Sequence, residues 1–519
     1  MPKTSKPLLT MSICLGLSTA AQADDFIIDG DATNTNNGAT LNGDDTITVV
    51  EGGTVTTTGY GVSGLSAVGN SNILTNRGTV TSSDGSAYGL IAKGNSNTLT
   101  NSGTVETSGD FAFGLVSNGD FNELTNSGTV TTTRYGAYGL IAVGNSNILT
   151  NSGTVTTSGV DAHGLIASGN SNTITNSGTV LSEQGFSIGM WGTDATLNLL
   201  SGSVLYGDVF LNRSETATLN FGVGLNAAVR VDLEYDGDFY GGVPATITAP
   251  GVYTVVDDTV YAADLSDYAA QDRASNIAGR LIHDAVANRT VVPAVTQDAA
   301  LPGTWASVTG GQVRNSGDAT LAGYDGMVVS GSFGRDRLDG PSIFGGVSLS
   351  RTETNNGVAT DAIGIHGGFY GQLGGSDYTL SVGLNNHDTT RKQANNMLET
   401  GLEEASDSYL SLFVSPAMTW HGLLGGNDSQ RLRYTGSYYG SHSYDFADGD
   451  LDVDSRFTHQ LEGRIAWAHA LEASTIRYGL DLGYQSGGAL NLTLAGQSLS
   501  SATPGDDTYG RVFAGMDFA

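Results

Sequence analysis

A 25-residue unit repeats along the first half of this chain, and a strict repeat of that length leaves few folds open. GNSNILTNRGTVTSSDGSAYGLIAK begins at Gly69, and related units begin at Gly94, Gly119, Gly144 and Gly169. A looser copy precedes them, with Gly53, Val55, Gly64 and Leu65 one period before Gly78, Val80, Gly89 and Leu90. A unit this short cannot enclose a core, so its apolar side is buried only by stacking on its neighbours, which is the rule of a solenoid. Each unit holds three β-prone runs parted by turn residues; in the second copy they are 98–101, 104–107 and 112–117. Three strands per turn predict a right-handed parallel β-helix with rungs about 4.8 Å apart.

The columns of that stack follow from the period. Leu74, Leu99, Leu124, Leu149 and Ile174 form one, and Val80, Val105, Val130, Val155 and Val180 another; both are expected to point inward. Asn76, Asn101, Asn126, Asn151 and Asn176 form an uninterrupted amide column. Each amide can donate to one rung and accept from the other, so this column is read as structural. Tyr88, Phe113, Tyr138, His163 and Ile188 vary in size while Leu90, Leu115, Leu140 and Leu165 beside them do not. The variable column fits two readings: an outward stripe that binds a glycan or partner protein, or rung-to-rung stacking. Strict alternation would place Tyr88 and Leu90 on one side, but Gly89 permits a bulge, so the facing stays open.

Three patterns that suggest chemistry lose their force on inspection. Gly185-Phe186-Ser187-Ile188-Gly189 matches the G-x-S-x-G nucleophile elbow, but the repeat register makes Gly185 and Gly189 the counterparts of Gly85 and Gly89, and puts Ser187 in the column of Ala87 and Ala112. No strand–turn–helix context surrounds it. Asp29-Gly30-Asp31 with Asn34 and Asn36 resembles a calcium loop, but the twelfth position is Thr40 and not Glu. His163 is the only histidine before His283, and no acidic pair stands out from the repeat. No catalytic residue, metal ligand or cofactor site is therefore assigned, and the chain is expected not to be an enzyme.

Composition bounds the partners. With 22 Lys+Arg against 52 Asp+Glu and a formal charge of −30, the chain lacks the cations that nucleic-acid binding requires. Residues 1–23 read as a cleaved targeting segment: Lys3 and Lys6, the apolar run Leu8 to Leu17, then Ala21-Gln22-Ala23 before Asp24. Cys14, the only cysteine, lies inside it, which removes disulfides and thiolate metal sites from the rest. After the repeats, Thr193 to Gly242 holds short strand-like runs at rung-like spacing and reads as a cap on the stack. One helix is predicted over 266–289, with Ser266 as N-cap, Asp267 and Asp272 early, Arg289 late, and Ile277, Leu281 and Ala285 on one face. Pro293 and Pro302 mark a loose connection.

From Thr304 to Ala519 the hydrophobic period becomes two. In Tyr378-Thr379-Leu380-Ser381-Val382-Gly383-Leu384 and Ile476-Arg477-Tyr478-Gly479-Leu480-Asp481-Leu482, apolar residues take one face and polar or charged residues the other. Charges inside a strand with an apolar opposite face suit a barrel with lipid outside and a polar lumen. Trp305, Trp420 and Trp467 would supply interfacial girdles. At roughly 18 residues per strand and turn the region holds about 12 strands. Eleven alternating runs are readable, and no last strand is apparent near Phe518.

A targeting segment, β-helical repeats, a linker helix and a barrel, in that order, resemble the monomeric autotransporters of Gram-negative bacteria (type V secretion). Gly303-Thr304-Trp305-Ala306 is similar to that family's barrel opening, and Tyr324-Asp325-Gly326-Met327 and Phe344-Gly345-Gly346-Val347 to its early hairpins. The resemblance implies an all-β protein with a signal peptide at 1–23, a β-helical passenger at 24–245, a linker at 246–303 and an outer-membrane autotransporter β-barrel at 304–519. It implies a monomer in the cell outer membrane that needs membrane lipid and the barrel-insertion machinery and displays its passenger at the cell surface. The passenger would be adhesin-like and non-enzymatic, with a host or neighbouring-cell ligand; the alternative is a secreted hydrolase. Tyr88, Phe113, Tyr138 and His163 are the candidate ligand-binding stripe.

Overall fold

The structure, a computed structural model, describes residues 25–33, 43–212, 216–231, 244, 246–290, 303–337, 340–471, 474–502 and 507–518. The targeting segment with Cys14, the calcium-loop positions Asn34, Asn36 and Thr40, and Pro293 and Pro302 lie outside the described residues. The chain divides into two compact units, one made of 1–249, 255–261 and 393–403, the other of the remainder.

The first unit is a parallel β-solenoid of three sheets, with ten, eight and seven strands in order. Each repeat supplies one strand to each, as in Thr98–Asn101, Thr104–Thr107 and Leu115–Asn118. Pairing is in register with the repeat: Leu99 opposes Leu124, Asn101 opposes Asn126, and Val105 opposes Val130. The leucine and valine columns are fully buried. Glycine is required where rungs meet closely. Gly94 has φ +129°, and a Cβ there would lie 2.1 Å from the Gly69 carbonyl oxygen.

The Asn76 to Asn176 amides form a continuous buried ladder of 2.8 Å hydrogen bonds, Nδ2 of each donating to Oδ1 of the next. A second ladder went unread in the sequence. Asn72, Asn97, Asn122 and Asn147 each donate their backbone N–H to the Oδ1 of the asparagine one rung on, at 2.7–2.8 Å. Beyond the strict repeats, Thr196–Leu199, Val204–Tyr206, Val209–Leu211 and Thr218–Phe221 continue the three sheets, so this stretch carries further rungs as well as the end of the stack. A segment remote in the chain joins this unit: Ala394 and Asn395 pair in parallel with Ala227 and Ala228.

The second unit corrects the barrel expectation. Ten long antiparallel strands follow in order: Thr304–Asn315, Tyr324–Arg335, Ser342–Thr354, Ala359–Leu373, Ser376–Asn395, Leu402–His421, Asp428–Tyr439, Arg456–Ala470, Ser474–Ser486 and Asp507–Phe518. The order ends at the first and the last of these, and the two edges stand 11 Å apart, so the sheet is an open half-barrel and not a closed barrel of about 12 strands. Paired strands lie about 4.8 Å apart, so no ladder spans that gap. In hydrocarbon each unpaired edge group would cost several kcal/mol, which is why membrane-spanning sheets are closed.

The open sheet overturns the autotransporter resemblance and everything that depended on a closed barrel. That covers transmembrane strands, outer-membrane placement, surface display of an adhesin-like passenger to a host or neighbouring cell, and reliance on membrane lipid and the insertion machinery. The secreted-hydrolase alternative presupposed the same route and falls with it. Alternation of apolar and polar residues defines two faces of a sheet, whereas closure depends on strand number, stagger and tilt, which alternation does not report. The last strand, unread in the sequence, is Asp507–Phe518, paired along its length with Ser474–Ser486. Trp305 does not serve an outer girdle: it packs on the cluster of Ile282, Val286, Phe344, Tyr370 and Phe413, and its Nε1 donates to Tyr370 Oη at 2.8 Å.

The two faces of this sheet are otherwise distinct. One is apolar and exposed, as at Val308 (80%) and Val512 (83%). The other is polar and covers the helix α1, Ser266–Thr290. Its N-terminus is capped by Asp264, whose Oδ1 accepts from the Ser266 backbone N–H at 2.8 Å, and not by Ser266. Ala269, Ala270, Ala274, Ile277 and Leu281 pack on Val313, Tyr324 and Val328. On its other side Asp267 pairs with Arg391 at 2.6 Å, and Asp272 takes both Nη atoms of Arg456 at 2.7 and 2.8 Å. A helix with carboxylates amid alanines is thereby buried nearly all round, because arginines on the sheet meet its charges.

Candidate functional site

The variable column lies on the outer side of the solenoid. Leu90 and its equivalents point inward, while Tyr88, Phe113 and Tyr138 lie half-buried over the outward residues Ile91, Val116, Ile141 and Ile166. Gly89 makes the reversal: a Cβ there would meet Val105 Cγ1 at 2.3 Å, so the chain turns at a residue with no side chain. The rings stack from rung to rung, with centroids 5.2 Å apart for Tyr88–Phe113 and 4.8 Å for both Phe113–Tyr138 and Tyr138–His163. Phe113 and Tyr138 each meet a ring on both sides.

The column does not continue to Ile188. The turn before that strand is two residues shorter, so Leu165 opposes Ile188 and the inward leucine column takes Ile188. Phe186 takes the next ladder position, 4.9 Å from His163. The same shift moves Ser187 out of the alanine column into that of Gly164. Its hydroxyl donates to the carbonyl oxygens of Gly207 (2.8 Å) and Asp208 (3.2 Å), and its side chain is buried. A serine held this way is turned into the backbone and, among the described residues, hydrogen-bonds to carbonyl oxygens and to no side-chain base.

The ladder stops at Phe186 because Gly207 holds the equivalent place on the following rung, as the pairing of Ile188 with Val209 requires. Trp191 and Phe210 close around Phe186, with centroids 6.2 and 5.4 Å from it, and stack on each other at 5.2 Å. Trp191 has room because its rung carries Gly189; a Cβ there would lie 2.6 Å from the indole. Beside these rings is a cavity of about 940 Å³, lined also by Phe111, Tyr135, Tyr138 and His163 and by the carboxylates Asp161, Glu183 and Asp208. Asn396, from the remote segment, helps line it: its amide donates to Gly207 O at 3.0 Å, and its Oδ1 accepts from Arg230 N at 2.9 Å.

The chemistry of this cavity is aromatic and acidic. Burial pushes the His163 imidazole down to about 4, against the raising effect of Asp161. Its Nδ1 accepts from the Phe186 backbone N–H at 2.9 Å, which fits a neutral ring protonated at Nε2. Arg230 is drawn to Asp258 at 3.2 Å, so the carboxylates dominate. Phe111 is held at φ +55°, in a turn position otherwise filled by Gly61, Ser86, Gly136 and Asp161. A bulky residue there is strained by about 1–3 kcal/mol, and such strain gathers at sites that bind.

Of the four stripe residues read from the sequence, Tyr138 and His163 reach the cavity, while Tyr88 and Phe113 form the ladder leading to it. Sequence reading missed Phe186, Trp191, Phe210, Asp208 and Asn396. The first could have been found by allowing a two-residue deletion; Asn396 carried no sequence signal. No protein-family model matches the chain, and no curated protein matches it.

Proposed function

We propose that the chain is a non-catalytic binding protein and that its solenoid takes a neutral oligosaccharide in the cavity where the aromatic ladder ends. The single observation that carries this is the convergence of Phe186, Trp191 and Phe210 with Asp161, Glu183 and Asp208 around one 940 Å³ space. A sugar ring offers C–H groups that meet the negative face of an aromatic ring, and hydroxyls that donate to carboxylates. The acidic lining disfavours anions. The burial of the Ser187 hydroxyl against the carbonyls of Gly207 and Asp208 supports binding without turnover.

Isothermal titration of the full chain against a panel of neutral oligosaccharides tests this. At least one is expected to bind and to be recovered unchanged, with Trp191→Ala and Asp208→Asn each weakening it roughly tenfold, as loss of about 1.4 kcal/mol requires. Binding to none of the panel, or binding indifferent to both changes, sinks the reading.

A further inference from the structure

A different cavity, in the second unit, is electrostatically the reverse of the chain. It has a volume of about 310 Å³ and is lined by Arg280, Arg431, Arg464, Arg477 and Arg511, with Asp284 the carboxylate in its wall and Trp467 and Phe513 its rings. Arg431 and Arg464 both reach Asp284 Oδ1 at 2.7 Å; Arg464 and Arg511 share Asp481 at 2.6 and 3.1 Å. Behind the wall, Arg433 lies 3.3 Å from Glu462, which is 3.8 Å from Arg431 and 4.0 Å from Arg280. Five arginines thus share three carboxylates, in a chain of formal charge −30. The C-terminal half of α1 lies alongside, and its end carries only about half a negative charge, so among these five arginines and the described carboxylates that meet them more than one positive charge stays unmatched.

The donors are not all spent. Arg431 is 6% exposed, and its Nε and Nη2 donate no hydrogen bond among the described residues; the same holds for Nε of Arg280. A buried guanidinium with idle donors is costly unless a ligand meets it. Arg464 and Arg511 both lie over the Phe513 ring, at 4.5 and 5.3 Å, which holds their planes at the cavity wall.

From this geometry we infer that the cavity binds a phosphate-type oxyanion, the free ion or a small monoester, through Arg431, Arg464 and Arg511. A tetrahedral dianion presents several acceptor oxygens to planar guanidinium forks and supplies the charge that the network lacks. Trp467 and Phe513 leave an apolar wall for the organic part of an ester.

The test uses the full chain, with inorganic phosphate and phenyl phosphate titrated against sodium chloride of matched ionic strength, followed by thermal unfolding and calorimetry. One or both phosphates are expected to bind saturably and to raise the melting temperature where chloride does not. Tighter binding of phenyl phosphate would identify the monoester as ligand, and equal affinities the free ion. Arg511→Gln, partly exposed and tolerant of change, should weaken the affinity roughly tenfold. A purely structural role for the arginines would lower stability in Arg511→Gln while leaving the anion response as in the parent. That result, or stabilisation by neither phosphate beyond chloride, overturns the proposal.

Discussion

At the residue scale, two phenylalanines stand where the repeat otherwise places small or polar residues. Phe121 has φ +59° and is 63% exposed, while its equivalents Ser71, Ser96, Ser146 and Ser171 share its backbone conformation. Phe121→Gly should raise stability by about 1 kcal/mol, read as a higher urea midpoint at unchanged slope, since glycine meets no steric penalty there. A lower midpoint would show that the exposed ring is packed more usefully than its conformation suggests. Phe111→Gly should relieve similar strain but weaken ligand binding, because Phe111 lines the cavity.

His163 titrates in the opposite sense to an ion-paired histidine. Its folded value, about 4, lies below the ordinary value of about 6.5. Protons therefore bind the unfolded chain first; the contribution is whole above pH 6.5 and is lost as pH falls from about 6.5 to about 4, on the order of 1 kcal/mol per unit. Imidazole resonances of His163 should titrate near pH 4; a midpoint near 6.5 would contradict its burial in the ladder.

At the element scale, the amide ladder and the helix contacts differ in what their loss leaves behind. Asn126 accepts from Asn101 and donates to Asn151, each at 2.8 Å, in a fully buried site. Asn126→Ala removes both bonds and strands an acceptor on Asn151, so about 2–3 kcal/mol should be lost by equilibrium unfolding. The same change at Asn76, the first of the ladder, breaks one such bond and should cost less. In the helix, Asp272→Ala leaves Arg456 buried without its bidentate partner. That should cost about 3–5 kcal/mol, whereas Asp272→Ala with Arg456→Met should recover much of it, because replacing both members of a buried pair removes the desolvation burden.

At the scale of the whole molecule, the decisive feature is that the large antiparallel sheet stays open. Strands Thr304–Asn315 and Asp507–Phe518 each pair on one side only among the described residues, while Ala359–Leu373 pairs on both. Hydrogen exchange should therefore show fast-exchanging amides at alternate positions along the two outer strands and slow exchange throughout Ala359–Leu373. Uniform protection of all ten strands would mean that the sheet closes in solution.

The solenoid was legible because its information is periodic. Spacing of 25 residues aligns Leu99 with Leu124 and Asn101 with Asn126, and stacking then determines which residues are buried. The two faces of the second unit were legible for the same reason, since a strand's alternation is local. What the sequence did not carry was anything set by distant partners: a two-residue shortening that moves Phe186 into the ladder, the arrival of Asn396 beside Gly207, and the gathering of Arg280 on α1 with Arg431, Arg433, Arg464 and Arg511 from three strands. Closure belongs to this second class. By itself the sequence determined which residues repeat and which faces are apolar, because these follow from neighbours along the chain. Only the tertiary structure decided whether the sheet's edges meet and where the cavities form, because those depend on strand stagger and on contacts between residues far apart in sequence.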